Sequence, residues 1–161
     1  MTSSFHISVL PGDGIGHEVM PCATAVLEEV GKQIDRRFHF VPHSAGAQHY
    51  ADHGVALTDA VLADCEKADA ILFGAMGLPH VRGADGTEII PQLDLRFRFD
   101  LYAGVRPIRT FKGLPTPLAD PRAAEIDFVL VRESTEGLFY ARGRGEMQGD
   151  EVAYDTQKIS R

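Results

Sequence analysis

An apolar-alternating run from Phe5 to Leu10 leads straight into Pro11-Gly12-Asp13-Gly14-Ile15-Gly16 and then into a long amphipathic stretch, an order that reads strand, tight loop, helix. A second apolar run, Ala68 to Phe73, follows and ends in Gly74-Ala75-Met76-Gly77. Strand, helix, strand in this order constrains the chain more than any other feature, because two strands joined through a helix pair in parallel. Ligands in such sheets collect at the carboxyl ends of the strands, where both glycine loops fall.

The first helix is expected over Gly16 to Ile34. Val19, Ala23, Val26, Leu27, Val30 and Ile34 recur at three- and four-residue steps and are expected to face the core. Pro21 is tolerated near the first turn. Glycines at 12, 14 and 16 permit positive φ and close approach of an anion to the helix N-terminus. The spacing departs from G-x-G-x-x-G, since His17 stands where the third glycine belongs. A later helix is expected from an N-cap at Thr58 or Asp59, carrying Val61, Leu62 and Cys65 inward. Ile126 to Val131 reads as another buried strand, delivering Arg132 and Glu133 to its end.

Leu95 to Pro107 places Arg96, Arg98 and Arg106 among Leu95, Phe97, Phe99, Leu101 and Val105, which is strand spacing with one apolar and one basic face. With Arg132, these arginines suggest a pocket for a carboxylated ligand, because guanidinium forks match carboxylates bidentately. The alternative is that they form structural ion pairs on a polar sheet face.

Leu-Pro-Gly-Asp-Gly-Ile-Gly-His-Glu-Val (10–19), Gly-Ala-Met-Gly (74–77), Leu-Arg followed after nine residues by Arg-Pro (95–107), and Val-Arg-Glu-Ser-Thr-Glu-Gly (131–137) all occur in order. In these motifs the chain resembles the N-terminal part of the isocitrate/isopropylmalate dehydrogenase family. The resemblance spans nearly all 161 residues. It implies an α/β, isopropylmalate-dehydrogenase-like three-layer fold with a mixed, largely parallel sheet, incomplete in this chain. Residues 1–100 would begin a first domain and 101–161 a second, with a dimer-clasping arm at about 142–161, including Gly143, Gly145, Gly149 and a strand-like Glu151 to Tyr154. A solvated hairpin is the plainer reading of that arm.

The family oxidises a 2-hydroxy di- or tricarboxylate with NAD or NADP and then decarboxylates it with Mg²⁺ or Mn²⁺. By resemblance, Arg96, Arg106 and Arg132 hold the substrate carboxylates, and Arg98 is a less constrained neighbour. Ile15, Gly77, Leu78, Thr87, Glu88 and Ile89 line the nicotinamide end of the cofactor. Asp13 is a structural or supporting carboxylate, or an Asx-type turn residue. The family places a catalytic Tyr seven residues after the Arg of the Arg-Glu motif. This chain has Phe139 there and Tyr140 next, so Tyr140 is the candidate proton donor through a local bulge, and a phenyl ring is none.

Substrate choice in the family is read just before the first arginine. Gln92 and Leu93 there match neither the apolar pair of isopropylmalate enzymes nor the Ser and Asn of isocitrate enzymes. A buried amide left unmatched costs about 1 to 3 kcal/mol, so Gln92 points to a smaller or more polar substituent, as in tartrate or malate, with isopropylmalate the main competitor. The catalytic Lys and the metal-binding aspartates follow the stretch present here, so the chain alone is expected to be inactive, with no metal ligands of its own. The seven histidines show no metal-ligand spacing. A second possibility is a short non-catalytic protein that binds dicarboxylates or pairs with a full-length dehydrogenase subunit. The ending at Ser160-Arg161, without a cap, favours the first.

A net charge of −7 disfavours nucleic acid and anionic membrane as partners and leaves the arginines as a local positive site for small acids. A homodimer is expected. Cys22 and Cys65 are expected to be reduced and inward-facing. Met1 to Phe5 carries no signal-like pattern and no apolar run approaches 18 residues, which together suggest a cytoplasmic protein. Thr110 to Ala124, with Pro115, Pro117 and Pro121, is expected to be a long surface connection.

Overall fold

The structure is a computed structural model that describes residues 3–142 and 144–160. Gly143 and Arg161 of the expected arm lie outside the described residues. The described chain falls into two compact units divided between Leu95 and Arg96.

In the first unit, β1 (Ser3–Gly12) is the central strand of a three-stranded sheet. It pairs in parallel with β2 (Arg36–Pro42) on one side and β3 (Ala70–Ala75) on the other. Burial of Ile7, Ser8, Val9 and Leu10 in succession marks a strand covered on both faces, as a central parallel strand requires. α1 (Gly16–Gln33) crosses from β1 to β2, and α3 (Asp59–Lys67) precedes β3. Thr58 caps α3, its hydroxyl oxygen accepting the Val61 N–H at 3.3 Å, and Val61 and Cys65 turn inward. The core sets Ile7, Val9 and Met20 against Phe5, Ala23, Phe38, Phe40 and Leu72.

Two expectations about facing are corrected. The buried residues of α1 are Gly16, Met20 and Gly31, whereas Val19, Val26, Val30 and Ile34 are exposed. The helix packs on the sheet through Met20 and Ala23, so the valine stripe is turned away from it. Cys22, on that outer side, is exposed, while Cys65 is buried. His49 and His53 sit one turn apart on α2 (Ala47–His53), a helix that sequence periodicity does not reveal.

The stretch expected to run as a strand from Leu95 to Pro107 is helical through Arg98 and becomes strand only from Ala103. α4 (Pro91–Arg98) carries Arg96 and Arg98. Proline suits the first helical turn, and Pro91 and Leu95, four residues apart, are both buried on one side. Asp100 at φ 49° ends the helix, and the Leu101 N–H donates to the Arg96 carbonyl at 2.9 Å. In the second unit β4 (Ala103–Arg109) pairs antiparallel with β5 (Asp127–Glu133), across the connection that contains a short 3₁₀ turn at Pro121–Glu125. β6 (Glu146–Gln148) and β7 (Val152–Tyr154) form an exposed hairpin. No helix among the described residues is long and apolar enough to cross a membrane.

Candidate functional site

The glycine loops after β1 and β3 meet. A Cβ on Gly12, at φ +79°, would lie 1.9 Å from the Ala75 carbonyl oxygen, so only glycine lets the two strand ends approach. Asp13 fills the space beside them and is 2% exposed. Its carboxylate accepts the N–H groups of Ala47 at 2.7 Å, Gln48 at 2.8 Å and Gly77 at 2.7 Å. Charge-assisted bonds of this kind are the stronger class. Asp13 therefore fixes the loop after β3 to the start of α2, which makes it structural rather than a free turn residue.

Beyond Gly77 the chain folds over a cavity of about 230 Å³ lined by Met76, Gly77, Leu78, Pro79, Arg82, Glu88, Ile89, Ile90 and Gln92. Its outer wall is a small hairpin. Arg82 bridges Glu88 in antiparallel fashion, and their side chains pair at 2.9 Å. At the tip, Asp85 Oδ1 accepts both the hydroxyl of Thr87 at 2.7 Å and its N–H at 3.0 Å. The hydroxyl first and the amide second hold the Asp85 carboxyl below the usual carboxylate range. The Arg82 guanidinium also donates to the Pro79 carbonyl at 3.2 Å. Gln92 presents a buried amide oxygen with no partner among the described residues.

Of the residues expected near a cofactor, Gly77, Leu78, Glu88 and Ile89 line this one cavity, together with Gln92. Thr87 sits in the hairpin tip. Ile15 is outside the lining, 61% exposed at the N-cap of α1, and Leu93 is half-buried on α4. Arg82 was not foreseen. An Asp-Gly turn at 85–86 flanked by short segments was the available signal for the hairpin that carries it.

In the second unit, the register sets Arg106 opposite Leu130 and Arg132 opposite Gly104. Gly104 and Arg106 are two apart on one strand, and Leu130 and Arg132 are two apart on the other. Both arginines therefore project from the same face as diagonal neighbours, within reach of one another's long side chains. A Cβ on Gly104 would lie 3.1 Å from the Arg132 carbonyl oxygen, so glycine there eases the approach of the two strands. Among the described residues none of the guanidinium groups of Arg96, Arg106 and Arg132 is in an ion pair, unlike those of Arg82, Arg109 and Arg122. Arg106 and Arg132 are exposed and Arg96 is half-buried.

Phe139 lies under Arg132, with the guanidinium carbon 5.0 Å from the ring centroid. Tyr140 instead lies under Arg144 at 4.2 Å, with the Lys158 ammonium 5.6 Å from its ring. Among the described residues no group of three or more His, Cys, Asp or Glu side chains is arranged to hold a metal ion, so these residues do not by themselves fit the divalent ion expected for decarboxylation.

The family model described as isocitrate/isopropylmalate dehydrogenase matches residues 6–161. A 3-isopropylmalate dehydrogenase of Yersinia pestis is 40% identical over the whole chain, and the chain covers 47% of that protein. The chain thus spans about half the length of the curated relatives it matches. Among solved structures, an isocitrate dehydrogenase from Methylococcus capsulatus superposes with a TM-score of 0.73 at 29% identity, covering 97% of this chain and 43% of that one. A beta-decarboxylating dehydrogenase from Thermococcus kodakarensis gives a TM-score of 0.67 at 30% identity, covering 97% and 41%.

Proposed function

The chain belongs to the isocitrate/isopropylmalate dehydrogenase family, and from that premise we propose that it supplies the carboxylate clamp and the nicotinamide-end cavity of an NAD(P)-dependent oxidative decarboxylation of a 2-hydroxy di- or tricarboxylate. One observation carries the reading. Arg106 and Arg132 stand side by side on one strand-pair face without a carboxylate among the described residues to neutralise either.

Two unpaired forks on one face suit an acid with two carboxylates, and Arg96 is the third member of the clamp. Clamping orients the acid so that its C2–H is directed toward a hydride acceptor. The cavity lined by Gly77, Leu78, Glu88 and Ile89 would receive the nicotinamide end, whose ring supplies that acceptor when bound. Its glycine lining lets a flat ring approach the backbone, and the orphaned Gln92 oxygen awaits a donor. By resemblance, an amide at Gln92 in place of an apolar pair favours a smaller or more polar substituent, hence malate or tartrate over isopropylmalate. Tyr140 is the phenol available to protonate the enol after CO₂ loss, as Phe139 occupies the place beside Arg132. The divalent ion is left to ligands other than the described residues, and a second subunit would meet the β6–β7 arm.

The test is charge-conserving. Arg106→Lys keeps the charge but loses the planar fork, and is expected to weaken binding of D-malate or 3-isopropylmalate by about tenfold or more. Undiminished binding would remove Arg106 from the clamp.

A further inference from the structure

His49 and His53 stack on the last turn of α2, with ring centroids 4.4 Å apart and 21° between planes. Each ring has Nδ1 against a backbone carbonyl. His49 Nδ1 meets the Val55 oxygen at 2.6 Å, and His53 Nδ1 meets the His49 oxygen at 3.2 Å. A carbonyl oxygen only accepts, so in the neutral rings both Nδ1 atoms must carry the proton. Both Nε2 atoms then keep a bare lone pair.

This is the state in which imidazole binds a metal. A ligating histidine commonly donates its other ring N–H to a carbonyl, which fixes tautomer and ring orientation in advance. Helical spacing of four residues places the two side chains one above the other, as a chelate requires.

We propose that His49 and His53 form a two-imidazole site for a transition-metal dication of the Zn²⁺, Ni²⁺ or Cu²⁺ type, with water completing the coordination. The ligand class follows from the donors. Imidazole nitrogen suits these ions, whereas Mg²⁺ and Ca²⁺ select oxygen. Because the rings stack within 21° of parallel, they must tilt substantially out of the stack for both lone pairs to converge at the roughly 2.0 to 2.1 Å of a Zn–N bond. The exposed His53 ring has room to turn, while half-buried His49 holds the shorter hydrogen bond and is the fixed partner.

Binding here would bridge successive turns of a seven-residue helix that ends at Gly54, φ 75°, just before Val55 receives His49. A ligand that binds only the folded state raises its stability by mass action.

The experiment is calorimetric titration of the whole 161-residue chain with ZnCl₂ in a non-chelating buffer. The native sequence is compared with His49→Gln, His53→Gln and, as a control, His39→Gln on β2. One saturable site is expected, weakened about tenfold or more in each α2 variant and unchanged in the control. Nitrogen NMR of the native chain should show both Nε2 resonances moving while the Nδ1 protons persist. Absence of a saturable site, affinity within twofold of native in His53→Gln, or ligation through Nδ1 would overturn the proposal. Should His49→Gln fail to fold, the exposed His53 decides the matter alone.

Discussion

The carboxylate of Asp13 accepts the backbone N–H of Gly77 at 2.7 Å across 64 residues of sequence, and its remaining bonds go to Ala47 and Gln48. One side chain thus ties together the end of β1, the start of α2 and the loop that walls the cavity. Asp13→Ala would leave three N–H groups short of their acceptor. It is expected to destabilise the chain by about 3 kcal/mol in urea unfolding and to speed hydrogen exchange at Gly77. Native stability and native exchange at Gly77 would show that the link is incidental.

The two cysteines should separate chemically. Burial first, and the nearby Asp64 charge in addition, push the Cys65 thiol above its ordinary range, against the opposing influence of the Ser8 hydroxyl. Cys22 is exposed on the outer side of α1. The thiolate is the nucleophile, so at neutral pH iodoacetamide should modify Cys22 first, with Cys65 reacting only on unfolding. Mass spectrometry of peptides from the partly alkylated chain reads the order directly, and Cys65 reacting first would contradict the burial assigned to it.

Acid should release the C-terminal return. The Ser160 hydroxyl, then its amide, then Lys158 hold the Glu136 carboxyl below the ordinary range. A depressed folded-state value contributes stability that is present above the unfolded value, about 4.3, and is lost as pH falls through the lower folded value. The Gly137 N–H, bonded to the Lys158 carbonyl at 2.8 Å, is the reporter. Its exchange protection, corrected for intrinsic rate, should be flat from pH 6 to 8 and fall only below about pH 4. A loss centred near neutrality would point to a different group.

Much of this arrangement was legible in the residues. The β1 loop and the β3 loop were both placed at strand ends by their apolar runs and glycines, and β5 was visible as Ile126 to Val131, although its residues are exposed rather than buried as that apolar run implied. The form of Leu95–Phe99 was not, because Leu-Arg-Phe-Arg-Phe satisfies strand alternation while Pro91 and Leu95 also satisfy a helix turn. Tertiary burial of that proline and leucine decided it. The valine stripe of α1 has the period of a packed face yet is exposed. Periodicity shows that a face is apolar and says nothing of which element covers it. α2 is too short for its period to register, which hid the His49–His53 pair, and the Asp13 link joins residues too far apart in sequence for any local pattern to reveal.

The account's central claim is that Arg106 and Arg132 form a preorganised clamp for a dicarboxylic hydroxy acid. Calorimetric titration of the 161-residue chain with D-malate, tartrate, isocitrate and 3-isopropylmalate, with and without Mg²⁺, tests it most directly. Saturable binding that is indifferent to Mg²⁺ and lost in Arg106→Ala is the predicted result, with malate or tartrate tightest. Binding that survives Arg106→Ala, or no binding by a folded chain, would contradict a clamp already formed on this strand pair.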